Sequence, residues 1–199
     1  MISNGTELRA VAAIRTEHLL LREFTDADVD PLYAIQGDRQ HMKFTSWAES
    51  REVCERRLRL YAGSRQAYGY APWTALLADE TVVVGWGGLK LDLIAPQWGV
   101  EVSYFIHQSY ASRGFATELV RASLKHGFDD LVLERIGAFA RPQNPASVRV
   151  LEKCGFRFLR YEPALERNHY EVRRGEWAVA RLRRQPTSRQ TPACSPPTK

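Results

Sequence analysis

Tyr104-Phe-Ile-His-Gln-Ser-Tyr-Ala-Ser-Arg-Gly-Phe-Ala-Thr-Glu118 is the stretch on which the fold turns. It closes an alternating segment, Trp98 to Ile106, in which Val100, Val102, Tyr104 and Ile106 share one face and Glu101, Ser103 and Phe105 the other. A short polar loop follows, and Arg113 to Phe128 then carries Leu119, Val120, Ala122, Leu124 and Phe128 at helical spacing. The unit is therefore strand, loop, helix. The first backbone N–H groups of such a helix lack partners, and its dipole favours an anion by about 0.3–1 kcal/mol, up to ~2 where partly buried. Arg113, Gly114 and Ala116 would let a phosphate approach that backbone closely. Alone the signal is weak, because Gly114 can equally serve a turn and Thr117-Glu118 can satisfy the first helical turn.

Working outward, Arg135 to Ala140 is a compact apolar strand. Asn144-Pro145 opens a further helix, with Asn as cap and Pro in first position, and Gly155 closes it where a left-handed residue is wanted. Phe156–Tyr161 and Tyr170–Leu182 are expected as two closing strands. Upstream, Glu17–Phe24 is expected as a strand, and Thr25 or Asp26 as the cap of a helix bearing Val29, Leu32, Tyr33 and Ile35. A second helix is expected from about Glu49 to Tyr61, and a hairpin from Trp73–Ala78 and Val82–Leu89 around Asp79-Glu80. Strands and helices alternate over residues 98–161, which implies a parallel or mixed sheet covered by helices, an α/β domain. No internal repeat or Gly/Ser-rich linker interrupts it, so one domain is expected over residues 17–183. Residues 1–16 are a loose lead-in and residues 184–199 a disordered basic, Pro-rich tail.

Composition agrees. The 199 residues are 44% hydrophobic and 11% aromatic, enough for one sizeable core. No run approaches the roughly 20 apolar residues of a membrane helix, and the N-terminus lacks the pattern of a secretory signal; a cytoplasmic protein with no membrane partner is expected. Cys54, Cys154 and Cys194 form neither a disulfide framework nor a metal cluster, and the five histidines are scattered, so no metal is expected. The net charge of +5 is a terminal property. Residues 173–199 carry seven Lys/Arg against Glu176 alone, leaving 21 basic against 22 acidic residues in the body. A nucleic-acid partner is disfavoured, since no recognition motif with interleaved aromatics accompanies those charges. Gly85-Trp-Gly-Gly88 lacks both the P-loop Lys-Ser/Thr and the spaced dinucleotide glycines.

The second helix start adds weight to the first. Asn144 and Ser147 stand at the mouth of a helix on the same sheet edge, where open α/β sheets bind ligands. A cap and a first-turn serine account for both without a ligand, so this too stays open on the residues alone.

Glu101-Val-Ser-Tyr-Phe-Ile106, Ser112-Arg-Gly-Phe-Ala-Thr-Glu118 and Asn144-Pro-Ala-Ser-Val-Arg-Val-Leu-Glu-Lys-Cys-Gly-Phe156, in that order, resemble the GNAT superfamily of N-acetyltransferases, most closely its RimJ/RimL-like ribosomal-protein subgroup. The resemblance spans residues 14–180, including the opening Thr16–Arg22 and closing Arg173–Trp177. It implies a mixed, mostly antiparallel sheet splayed between two central strands, helices on both faces, and acetyl-CoA in the cleft. By resemblance, the pyrophosphate rests on Arg113, Gly114, Phe115, Ala116 and Thr117. The pantetheine arm bonds backbone at Phe105 and Ile106, and Asn144 and Ser147 face the distal part of the cofactor. Two departures stand out: Ser112 replaces the usual Gly, and Leu151 stands where many members place an acidic Tyr. Ser147 is then the candidate general acid and Glu101 the candidate general base, against the plainer account of a surface or salt-bridged glutamate.

The expected activity is acetyl transfer to a primary amine, either a protein N-terminal α-amine or a small-molecule amine, by direct attack in a ternary complex. A lysine ε-amine costs roughly 4.6 kcal/mol to deprotonate at pH 7, an α-amine only about 1. Cys154 sits at a helix C-terminus, where the dipole disfavours a thiolate, so no acyl-cysteine is expected. Trp47, Tyr68, Tyr70, Trp73 and Trp86 could line an acceptor pocket, though such aromatics more often serve the core. The competing class is a non-catalytic acyl-CoA-binding regulatory module; the expected assembly is a monomer or homodimer.

Overall fold

The computed structural model describes residues 13–79, 82–92 and 95–184; the expected tail from Gln185 onward, with Cys194, lies outside them. The strands are β1 (Ala13–Arg15), β2 (Leu19–Arg22), β3 (Trp73–Leu77), β4 (Val83–Leu91), β5 (Val100–Ile106), β6 (Arg135–Ala140), β7 (Arg157–Glu162) and β8 (Arg167–Arg173). The helices are α1 (Val29–Gln36), α2 (Arg51–Tyr68), α3 (Phe115–Lys125), α4 (Pro145–Lys153) and α5 (Arg174–Arg184). One sheet results, in the order β1-β2-β3-β4-β5-β6-β8-β7, antiparallel throughout except where β6 runs parallel to β5. This is the mixed α/β sheet that the sequence leads one to expect.

Both faces of the sheet are covered, which is why β3 buries nearly every side chain rather than alternate ones. On one face, α3 inserts Phe115 and Leu119 against Leu19, Leu21, Trp73 and Val84. Its neighbouring row, Val120 and Leu124, joins Leu151 of α4 and Ile136, Ala138, Tyr170 and Val172 of β6 and β8. On the other face, Leu32 and Ile35 of α1 and Cys54 and Leu58 of α2 meet Trp86 and Phe105. Trp73, Trp86 and Tyr70 are thus core residues, and Cys54 is buried among apolar groups that push its thiol pKa up to about 11.

Several boundaries differ from the sequence expectation. Ala13–Arg15, within the expected lead-in, pairs with β2. The second helix runs on to Tyr68, because Ser64 Oγ and Arg65 Nη2 bond the carbonyls of Tyr70 and Ala71 and hold the last turns onto the sheet. The closing strand expected over Tyr170–Leu182 stops at Arg173; α5 follows, and its Trp177 ring meets Phe128 with centroids 5.4 Å apart. The outer strand β7 exposes Phe158, Leu159 and Tyr161, and its pairing with β8 slips between Phe158 and Arg160.

The junction of β2, β3 and α1 depends on one carboxylate. Asp28 is 1% exposed and accepts four hydrogen bonds: Arg22 Nη1 and Nη2, each at 2.7 Å, the Thr25 N–H at 2.8 Å and Thr74 Oγ1 at 2.9 Å. Burial alone would raise its pKa, but these donors outweigh it and hold the carboxyl below its ordinary value. Its stabilisation is therefore complete above the unfolded carboxylate pKa of about 3.9 and disappears as pH falls through the lower folded value. Asp28→Asn should cost about 3 kcal/mol, towards the low end for a buried pair because Arg22 stays 28% exposed, and should lower Tm by roughly 6–12 °C. Thermal melts between pH 7 and pH 3 check this, and the variant should lose the acid-side fall that Asp28 causes.

Candidate active site

The sheet has a seam. β4 and β5 pair along seven registers, from Gly85↔Ile106 to Leu91↔Val100, whereas β5 and β6 pair only at Glu101↔Gly137. Beyond that point the two parallel strands part, and Val102 to Ile106 present their β6-side backbone to an opening rather than to a ladder. A buried backbone edge without partners is costly, so such an opening suits a ligand that brings its own amides. Phe105 and Ile106, the residues expected to bond a pantetheine arm, lie along this edge.

Because β5 and β6 are parallel, α3 and α4 begin at the same end of the sheet, flanking the seam. Gly114 caps α3 at φ +88°, preceded by Ser112 at φ +62°. A Cβ built on Gly114 would meet nothing within 4 Å. Glycine is required there by backbone geometry, and the space beside it is open. The N–H groups of Phe115, Ala116 and Thr117 head this helix without helical acceptors, and Arg113 is exposed beside them, its guanidinium 5.3 Å from the Tyr110 ring centre. Glu118 is turned away from the opening: it accepts from the His18 N–H at 2.7 Å and meets His18 Nδ1 at 3.0 Å, tying α3 to β2. Free backbone N–H groups and one exposed guanidinium thus come together at this helix start, a polarity that favours an anion.

At the start of α4, Asn144 Oδ1 accepts the Ser147 N–H at 3.2 Å, so Asn144 is a helix cap in addition to facing the seam edge. Ser147 Oγ lies 3.0 Å from Tyr104 Oη, which reaches across from β5. Burial pushes the Tyr104 phenol well above its ordinary pKa, with the Ser147 hydrogen bond opposing, so the phenol keeps its proton and is a donor. Tyr104 was legible only as a core-facing residue; its partnership with Ser147 spans 43 positions and has no local signal.

Glu101 is buried, and its Oε1 lies 2.5 Å from Lys90 Nζ, the cross-strand neighbour on β4. Burial presses the Lys90 pKa down, but Glu101 and then Tyr61 outweigh it and keep the ammonium charged. Glu101 is therefore salt-bridged, as the plainer account held, at the register where the seam closes. Lys90 is absent from the sequence reading, although the hairpin register places it opposite Glu101. Around the seam end of β5, a cavity of about 380 Å³ is lined by Ile35, Asp38, His41, His107 and Ser109. The His41 and His107 rings are 6.3 Å apart, and burial followed by the neighbouring imidazole lowers the His41 pKa, favouring its neutral form. No group of three metal-ligating side chains gathers among the described residues.

A sheet opened between two parallel strands carries two helix starts at the opening, one on each side of the seam. Residues 18–157 match the family model described as the acetyltransferase (GNAT) domain. The uncharacterized N-acetyltransferase YnaD of Bacillus subtilis (strain 168) is 26% identical over 144 residues, 72% of this chain and 82% of that protein. The GNAT-family acetyltransferase structure from Bacillus anthracis superposes with a TM-score of 0.68 at 24% identity, covering 82% of this chain and 99% of that one. RimL, the ribosomal L7/L12 α-N-protein acetyltransferase solved with coenzyme A, superposes at 0.69 with 17% identity, over 81% and 97% of the two chains. The chain belongs to the GNAT acetyltransferase family and is an acyltransferase.

The cradle at Gly114 generates a direct test. Gly114→Val places a β-branched residue at positive φ, which reshapes the loop without touching the core. Acetyl-CoA affinity should fall about tenfold or more by calorimetry, while Tm without ligand falls by only a few degrees.

Proposed function

We propose that this protein is an acetyl-CoA-dependent N-acetyltransferase acting on a primary amine in a ternary complex. The observation that carries this reading is the seam: five residues of β5 beyond Glu101, laddered to β4 on one side, have no partner on β6, and the opening is flanked by the starts of α3 and α4. Arg113 to Thr117 would hold the pyrophosphate, Phe105 and Ile106 the pantetheine amides, and Asn144 and Ser147 the far wall. When bound, acetyl-CoA supplies the acetyl group as a thioester.

The chain's own groups supply the proton handling. Glu101, paired through Oε1 with Lys90, accepts the amine proton directly or through water. Ser147, braced by Tyr104, is the donor on the opposite side of the seam. A thiol of pKa ~8.5 needs only modest help to leave, so a neutral hydroxyl pair is sufficient there. Deprotonation decides the acceptor type. An α-amine costs about 1 kcal/mol at pH 7 against roughly 4.6 for a lysine side chain, and a base already engaged by Lys90 suits the easier task. We therefore favour a RimJ/RimL-like role on a peptide N-terminus or a small molecule of similar basicity.

Acetyl-CoA at a hundredfold excess over its dissociation constant should stabilise the fold by about 2.7 kcal/mol, seen as a rise of roughly 5–10 °C in Tm. Free CoA should appear only when acetyl-CoA and amine are both present, and an acetylated enzyme isolated without acceptor would refute the ternary mechanism. Glu101→Gln should lower kcat by at least ~100-fold and change acetyl-CoA affinity little. Retention of full turnover would remove Glu101 from the chemistry.

A further inference from the structure

The face of β6 and β8 that carries Glu101's register partner holds an unusual pair. Gly137 lies opposite Glu171 and Phe139 opposite His169, with the Phe139 and His169 rings stacked at 4.6 Å. The ladder ends at Ala140↔Asn168; Arg141 follows directly and acts electrostatically on Arg167, which on its other side is registered opposite Glu162 of β7. Like charges facing each other across antiparallel strands are destabilising. Arg141 is relieved on one side, its Nη1 lying 3.0 Å from Glu166, but its Nε is buried without a partner. Arg167 is half-buried, and its side chain makes no hydrogen bond or close ion pair among the described residues, its neighbour Glu162 being held by Arg160. Burial lowers its pKa, the Glu101 field raises it, and Arg141 lowers it again. The other cations of this face are matched: Lys90 by Glu101, Arg160 by Glu162, and Arg135 and Arg173 by Glu171. A half-buried guanidinium is stable next to a second one when an anion sits between them.

We propose that Arg167, backed by Arg141, binds a carboxylate carried by the amine acceptor, making the protein selective for amines that also bear an acidic group. The inference rests on the transferase reading and names the acceptor class for the same cleft. Arg141 lies four residues beyond Gly137, and hence about 13 Å along the sheet from the Glu101 register, less the inward reach of both side chains. An extended peptide spans about 3.3–3.6 Å per residue, so an acidic side chain at the third position places its carboxylate at a matching distance from the α-amine.

Binding is measured with the full chain in the presence of CoA, which prevents turnover. The probes are C-terminally labelled tetrapeptides Ser-Ala-Glu-Ala, Ser-Ala-Gln-Ala and Ser-Ala-Lys-Ala, with 6-aminohexanoate and 6-aminohexanamide as small competitors. The Glu peptide should bind at least tenfold more tightly than the Gln peptide. Arg167→Glu should reverse the order in favour of the Lys peptide, with acetyl-CoA affinity unchanged; Arg167→Gln, which only removes the charge, should abolish the preference and serves if the reversal fails to fold. Preference for 6-aminohexanoate with indifference among the peptides would assign the same guanidinium site to small amino acids. Equal binding of every charge variant, or no binding of any probe, overturns the inference. It leaves the transferase reading intact if acetyl-CoA still binds, whereas loss of acetyl-CoA binding in the unmutated protein would sink that reading instead.

Discussion

A sheet whose middle is left unpaired must recover the lost backbone hydrogen bonds elsewhere, and that requirement organises this molecule. β5 is fully laddered to β4 on one side and meets β6 at a single register on the other. The strands can diverge because helix packing holds both sides: α3 packs on the β2–β5 half through Phe115 and Leu119, and its other row, Val120 and Leu124, joins Leu151 of α4 over β6 and β8. The opening is thus maintained by apolar burial on its flanks, at about 25 cal/mol per Å², rather than by anything within it.

Two buried carboxylates illustrate how similar chemistry is put to different ends. Asp28 has four donors and no free lone pair worth the name; it is a joint between β2, β3 and α1. Glu101 is paired with Lys90 and also acts on the Arg167 charge, at the single point where the seam closes. A buried ion pair gives little net stability compared with apolar residues of the same volume. Lys90–Glu101 is therefore poorly explained as a stabilising device, while its position beside the opening fits a group held ready for a proton.

The sequence was most readable where local chemistry decides structure. The cap at Asn144, the proline after it and the left-handed Gly155 delimit α4 within one residue, and alternation alone identifies β5. It was least readable where a distant surface overrides local preference. Arg174-Gly-Glu-Trp177 follows the mixed strand β8 directly, and helix α5 packs back onto the fold through Trp177, which meets Phe128, 49 positions earlier. Gly63 and Ser64 are weak helix formers, yet α2 continues through them because its end is anchored to the carbonyls before β3. At the site, the two helix starts were visible as caps and turns, while the roles assigned to Glu101, Ser147 and the glycine loop came only with the family resemblance. Lys90, Tyr104 and the neighbouring arginines were not legible, since each becomes meaningful only through a strand register that one sequence does not reveal.

The outermost strand closes the sheet in a way that shapes how the molecule meets others. β7 turns Phe158, Leu159 and Tyr161 outward, an apolar border that in a flat strand would invite another chain to extend the ladder. The register slip between Phe158 and Arg160 bends that border, and Arg157, Arg160 and Glu162 interrupt it with charge. Backbone zippering is discouraged while sticky rings stay available, so crowding of this protein should favour reversible side-chain contacts over fibrous growth.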